Sequence, residues 1–211
     1  LKKILEETKY AKDLTLVVRL AVSNEGSALP LAGKFGAGEA EAPDLIRQAR
    51  AHADELGVSF HVGSQCMAPG TYRAAMAEVS RLIVQAGVTV DIVDVGGGFP
   101  SVYPGMRPPP LADYITAIKD AFEDMMVLEN ADLWCEPGRA LIAESVSVLT
   151  RVELVKGNQV HLNDGAYGCL YDMVYAKWPF PIRVHRADGD LTEQSEEFKL
   201  YGPTCDSIDT M

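Results

Sequence analysis

His61, the glycine run Gly96-Gly97-Gly98, the pair Glu136 and Arg139, and Cys205 beside Asp206 are the residues of this sequence whose types suit chemistry. An imidazole offers a flat, titratable ring near neutral pH. Consecutive glycines let backbone N–H groups approach an anion without side-chain obstruction. A carboxylate and a guanidinium three residues apart can each make charge-assisted hydrogen bonds to a polar ligand. Taken singly, each feature has a plainer explanation. A histidine after an apolar strand is more often structural, a triple glycine is usually a turn, and Glu136 and Arg139 suit an ion pair. A free cysteine is normally a small buried residue. Their recurrence at the ends of successive apolar runs is what points to a site.

The elements that must position them follow from hydrophobic periodicity. Residues 14–22, 58–62, 90–95 and 133–136 read as nearly all-apolar strands. Residues 42–56, with Gly57 as a stop, and residues 72–85 and 111–126 read as helices. Buried strands alternating with amphipathic helices predict parallel strands covered by helices. In a parallel α/β barrel the C-terminal strand ends form the active-site face, where His61, the glycines and Glu136–Arg139 fall. Beyond residue 140 the pattern changes. Residues 144–156 alternate, Gly157-Asn158 signals a turn before a strand at 159–162, and no amphipathic helix is expected. We therefore expect an α/β domain over residues 1–140 and a β-rich domain over 141–211.

Composition narrows the partners. The 211 residues are 47% hydrophobic, enough for a sizeable core. A net charge of -11 argues against nucleic-acid and anionic-membrane partners; such a field could also help attract a cationic substrate, but acidic enzymes are common whatever they bind. Cys66, Cys135, Cys169 and Cys205 form no CxxC pair and no metal-ligand spacing, as expected of a reduced cytoplasmic protein without a metal site. No apolar run approaches the roughly 20 residues that span a bilayer. The chain does not begin with methionine and ends directly after a motif-like stretch, so an internal fragment is expected.

Six motifs occur in a telling order: Lys34-Phe35-Gly36-Ala37, Phe60-His61-Val62-Gly63-Ser64-Gln65, Asp94-Val95-Gly96-Gly97-Gly98-Phe99-Pro100, Glu136-Pro137-Gly138-Arg139, Asn163-Asp164-Gly165-Ala166-Tyr167-Gly168 and Gly202-Pro203-Thr204-Cys205-Asp206. Together they resemble the pyridoxal-phosphate-dependent ornithine, lysine and arginine decarboxylases, ornithine decarboxylase-like members of the alanine-racemase fold class. The likeness runs over essentially the whole chain. It implies part of a (β/α)8 barrel followed by part of a β domain, acting as a homodimer with active sites at the interface. By this resemblance His61 stacks on the ring of pyridoxal 5'-phosphate. Ser64, Gly97, Gly98, Gly138 and Arg139 surround the phosphate, and Arg19 lies close to the cofactor. Glu136 pairs with the pyridine nitrogen, favouring its protonated form and a stronger electron sink, which suits a decarboxylase over a racemase.

The resemblance also assigns Cys205 to reprotonation, Asp206 and Tyr175 to the substrate, and Lys34 and Asp209 to a salt bridge between subunits. It implies decarboxylation of a basic amino acid, ornithine to putrescine first. The alternatives are lysine or another diamino acid, or a non-catalytic homologue similar to antizyme inhibitors. Two departures stand out. The lysine that anchors the cofactor in the family lies well upstream of the Lys-Phe-Gly-Ala motif, whereas 33 residues precede Lys34 here, and Lys2, Lys3, Lys9 and Lys12 sit in or beside a polar helical stretch. The chain alone is therefore expected to be inactive. Ala176 stands where a substrate-contacting aspartate is expected after Tyr175, unless Asp172 takes that part.

Overall fold

The structure is a computed structural model that describes residues 1–31, 33–125, 127, 129–191 and 196–211. The chain divides into two compact units: Leu1–Ser101 with Pro108–Ala143, and Val102–Arg107 with Glu144–Met211.

In the first unit, β1 (Thr15–Arg19), β3 (Glu55–Ser59), β5 (Ile92–Asp94) and β6 (Asp132–Trp134) form a parallel sheet in the order β1-β3-β5-β6. β1 alternates exposed and buried, sending Leu16 and Val18 into the core. The core is closed by three amphipathic helices, α2 (Ala42–Arg50), α3 (Gly70–Ala86) and α4 (Leu111–Glu123), which follow the short α1 (Lys2–Glu7). α2 buries Ala42, Ile46 and Ala49 on one stripe. It carries Asp44 in its first turn and Arg47 and Arg50 in its last, as the helix dipole favours. α3 buries Tyr72, Ala75, Met76, Val79, Leu82, Ile83 and Ala86, and Gly87 ends it in a left-handed cap. A small antiparallel ladder joins β2 (Ser27–Leu29) to β4 (Ser64–Cys66). Parallel strands of which β1, β3 and β5 are each followed by a covering helix are the expected α/β arrangement of a partial (β/α)8 barrel.

The structure shortens the first of the expected helices. The alanine-rich stretch predicts a helix through residue 56, but α2 stops at Arg50 and residues 55–59 form β3. Arg50 enforces the break. Its guanidinium donates to the carbonyls of Ala53 and Asp54 at 2.6 Å and to Asp91 Oδ2 at 2.6 Å, while the Leu56 N–H donates to the same Asp91 oxygen at 2.8 Å. Gly57 is no helix stop but a packing residue at mid-strand. A Cβ there would lie 3.0 Å from Val17 Cγ2 and 3.2 Å from Ile92 Cβ. The helix expected over 111–126 ends at Glu123, and Met126 lies outside the described residues.

The second unit is built on β7 (Val152–Lys156), β8 (Gln159–Leu162) and β9 (Lys199–Tyr201). β7 and β8 form a hairpin across Gly157-Asn158, and β9 adds parallel to β8. Of the alternating stretch 144–156, only residues from Val152 onward are strand. The short helices α5 (Arg139–Ile142, in the first unit) and α6 (Tyr171–Tyr175) were not expected, because one turn is too short for periodicity to register. Among the described residues no helix is long and apolar enough to cross a membrane, and no group of His, Cys, Asp or Glu side chains could hold a metal ion.

Candidate cofactor site

Strand register builds the site of the first unit. Arg19 pairs with Ser59, Ser59 with Asp94, and Asp94 with Trp134, so all four parallel strands end in one row. The ladder continues into the loops. Phe60 N–H donates to the Asp94 carbonyl at 3.1 Å, Val95 N–H to Trp134 at 3.0 Å, and Glu136 N–H to Gly96 at 2.9 Å. His61, Gly96–Gly98 and Glu136 therefore leave the sheet along the same C-terminal edge. Lys12 precedes β1 and so belongs to the opposite end of that strand.

His61 is half-buried and held from two sides. Its Nδ1 accepts the Gly63 N–H at 3.0 Å, which leaves the proton of the neutral ring on Nε2. Asn24 Nδ2 donates to its carbonyl at 3.0 Å. Burial, and then the Arg19 guanidinium, push the imidazole below its ordinary pKa against the opposing pull of Asp94. The result is an uncharged ring at neutral pH. Gly97 is wedged against it, since a Cβ there would lie 3.1 Å from His61 Nε2 and 2.9 Å from the Glu136 carbonyl oxygen.

Gly98 has φ +105°, and a side chain there would collide with the Gly63 carbonyl. Its own carbonyl accepts the Cys66 N–H at 2.8 Å. The start of β4 at Ser64 is locked in place by Gln65, which is fully buried. Gln65 Nε2 donates to the Ser101 carbonyl at 2.5 Å, and Ser101 N–H returns a bond to Gln65 Oε1 at 3.1 Å. Arg139, the first residue of α5 after Gly138, reaches Ser64 Oγ with Nη2 at 3.4 Å. A hydroxyl, a guanidinium and a side-chain-free backbone thus gather where the chain enters β4, beside a neutral aromatic ring. This set suits a phosphate ester attached to a flat ring. Glu136 is exposed at the same edge. Arg19 lies 5.5 Å from the centre of the Phe35 ring, and Lys34 Nζ lies 5.1 Å from it.

The second unit carries the other predicted residues. The loop after β9 is closed at its neck, where Gly202 N–H donates to the Asp209 carbonyl at 2.9 Å. Asp209 is 2% exposed, and its carboxylate accepts Ala166 N–H at 2.7 Å, Thr204 N–H at 3.0 Å and Thr204 Oγ1 at 2.7 Å. Burial alone would raise its pKa, but the donors from Thr204 and Ala166 outweigh burial and hold it below the usual carboxylate range. This internal knot ties the loop that carries Cys205 to the turn that carries Ala166. The loop presents Cys205 and Asp206 outward, both exposed. Tyr175 ends α6, exposed and stacked on Tyr171 at 5.4 Å, with Ala176 capping the helix onto the Asp172 carbonyl. Sequence reasoning missed Asn24, Gln65 and Tyr72, whose partners lie 37, 36 and 25 residues away, and Thr204, which bonds Asp209 five residues on.

Residues 1–143 match the family described as pyridoxal-dependent decarboxylase, pyridoxal binding domain. The lysine/ornithine decarboxylase of Selenomonas ruminantium is 32% identical over 93% of this chain and 50% of its own length. The ornithine decarboxylase of Caenorhabditis elegans is 30% identical over 99% of this chain and 53% of its own length. A solved structure of SrLDC in complex with PLP and cadaverine aligns with a TM-score of 0.78 at 29% identity, covering 99% of this chain and 53% of that one. Matched proteins also include a diaminopimelate decarboxylase and an antizyme inhibitor. The chain spans about half the length of the curated relatives it matches.

Proposed function

The chain belongs to the pyridoxal-dependent decarboxylase family, and from that premise we propose that it serves the decarboxylation of a basic amino acid, ornithine first and lysine second. The observation that carries this reading is the shared row of strand ends. It brings the neutral His61 ring, the bare Gly97–Gly98 backbone and Glu136 to one edge of one sheet, with the Ser64–Arg139 pair following Gly63, against which Gly98 packs.

In this reading Arg139, the Ser64 hydroxyl and the Gly98 N–H hold the phosphate of pyridoxal 5'-phosphate by charge-assisted hydrogen bonds. When bound, the cofactor supplies a sink for the electron pair left behind as carbon dioxide departs. His61, kept neutral by burial, offers a flat uncharged face to the pyridine ring and adds no positive charge beside it. The Glu136 carboxylate pairs with the ring nitrogen and holds a proton there, because an adjacent negative charge favours the protonated form. Glycine at 97 keeps the space beside His61 free of any side chain.

Asp206 binds the distal ammonium of the substrate. Its Oδ2 accepts the Tyr167 phenol and its Oδ1 accepts the Ile208 N–H, so each oxygen keeps a second lone pair for the ammonium. Cys205 Sγ returns a proton to the substrate α-carbon, and a homodimer with sites at the subunit interface belongs to the same reading. Ala176 leaves the ammonium one carboxylate fewer, a loss of about 1.5–3 kcal/mol for a charged hydrogen bond.

The test is release of carbon dioxide from ornithine, lysine and arginine in the presence of pyridoxal 5'-phosphate. Ornithine should react fastest, and Glu136→Ala should slow the reaction on the order of a hundredfold, the scale of a lost electrostatic group. No release from any of the three, by protein that binds the cofactor, would remove the proposal.

A further inference from the structure

The glycine run is held from below by a residue that no motif marks. Tyr72 lies in the first turn of α3, fully buried, and its hydroxyl donates to the Gly97 carbonyl at 2.9 Å. Its ring is fixed independently of that bond. It stacks on Phe99 at 5.1 Å and meets the edge of Tyr114 at 6.1 Å. Tyr114 in turn donates to the Cys66 carbonyl at 2.9 Å, and Cys66 N–H donates to the Gly98 carbonyl at 2.8 Å. Both glycine carbonyls are thus drawn toward the core by partners on buried side chains or backbone.

The consequence follows from peptide geometry. The structure contains no cis peptide bond among its described residues, so C=O and N–H of each unit point in opposite directions. Pinning the Gly97 carbonyl to Tyr72 therefore turns the Gly98 N–H away from α3 and out of the core. Among the described residues that N–H has no protein acceptor. Gly98 adopts φ +105°, and a glycine, unlike other residues, can cross readily between such states. Without a fixed carbonyl the peptide is free to rotate. Burial raises the Tyr72 phenol far above its ordinary pKa, so it stays a donor at any working pH.

We propose that Tyr72 is a positioning residue for the cofactor phosphate, its hydroxyl setting the Gly97–Gly98 peptide so that the Gly98 N–H faces the anion. The assignment rests on the reading that pyridoxal 5'-phosphate occupies this sheet edge. It goes beyond that reading by giving a residue that never touches the ligand control over one of its hydrogen bonds.

The experiment compares binding of pyridoxal 5'-phosphate and of pyridoxal, which lacks the phosphate, to the full chain and to Tyr72→Phe. Phenylalanine keeps the ring and its stack on Phe99 and removes only the hydroxyl. Tyr72→Phe should weaken pyridoxal 5'-phosphate roughly 5- to 10-fold, about the worth of one hydrogen bond, and leave pyridoxal binding unchanged. Tyr114→Phe, which frees the Cys66 carbonyl instead, should leave the ratio of the two affinities as in the parent chain. Equal weakening of both ligands by Tyr72→Phe would mean general loosening and would overturn the assignment, as would no change in either. A parent chain that binds neither ligand would instead sink the cofactor-site reading. Should Tyr72→Phe fail to fold, the parent chain still decides the matter. The Gly98 amide resonance should move downfield and become protected from exchange when pyridoxal 5'-phosphate is added, and an unmoved resonance rejects the role.

Discussion

Tyr167 Oη donates to Asp206 Oδ2 at 2.5 Å, joining two loops 39 residues apart in sequence. One loop follows β8 and carries the Asn-Asp-Gly-Ala-Tyr-Gly motif; the other follows β9 and carries Cys205. The bond raises the Tyr167 phenol, with the Asp206 hydrogen bond its main cause. It also helps depress the Asp206 carboxyl, after the larger effect of the Ile208 N–H. A carboxylate held ionised by two local donors is ready for a cation without needing the cation to ionise it.

Tyr167→Phe should therefore raise the Asp206 carboxyl pKa partway, because the Ile208 N–H remains. The depressed pKa means Asp206 stays ionised as pH falls past the ordinary carboxylate value, and the variant should protonate earlier on the same descent. Carbon-13 titration of the Asp206 carboxyl reads this directly. An unchanged midpoint would show that the phenol does not influence the charge.

Asp209→Ala should loosen the Cys205 loop. It leaves the Ala166 and Thr204 N–H groups without their acceptor, a loss of about 1–3 kcal/mol. The sign with pH is fixed by the depressed pKa. The contribution of Asp209 is fully present above its unfolded value and is lost as pH falls through the folded one. Asp209→Asn should accordingly flatten the acid side of the stability curve. Urea denaturation from pH 7 down to the acid limb measures both effects, and a parent-like acid limb in the asparagine variant would count against the knot.

These two loops show where sequence reading reached and where it stopped. Strand ends, helices and the ordered motifs were legible because apolar periodicity and glycine runs are local signals. His61, Gly98, Glu136 and Arg139 fell at one edge as expected, since parallel register follows from the β-α alternation. Residues 51–57 misled because alanine-rich helical propensity is weak beside the bonds Arg50 makes to Ala53, Asp54 and Asp91. The Asp209 knot and the Tyr72 bond were invisible because each joins groups 43 and 25 residues apart through backbone atoms, which leave no pattern in side-chain types.

The neutral state of His61 has two sources of unequal weight, and they can be separated. Burial comes first and the Arg19 guanidinium second, so Arg19→Gln should raise the imidazole pKa without restoring its ordinary value. In the parent chain the unfolded state takes up a proton before the folded one as pH falls, so His61 costs stability below its unfolded pKa. Arg19→Gln should reduce that loss. Proton NMR of the His61 Cε1 resonance across pH 4–8 gives the midpoint, roughly bracketing the ordinary histidine range. A midpoint in the variant equal to the parent's would exclude Arg19 as a cause.

Two glycines of the site make opposite predictions. Gly98 has φ +105°, and a Cβ there would strike the Gly63 carbonyl, a backbone atom that cannot swing aside. Gly98→Ala should therefore destabilise the chain by about 1–3 kcal/mol, the range for a non-glycine residue in a sparsely populated backbone region. It should also weaken pyridoxal 5'-phosphate, because relief of the clash moves the Gly98 N–H. Gly138, before Arg139, has φ -98°, and a Cβ there meets nothing within 4 Å. Gly138→Ala should leave stability nearly unchanged. Urea midpoints at constant slope, with cofactor titration of each variant, compare the two positions. If both alanines behaved alike, close backbone approach at Gly98 would not be what shapes the cradle.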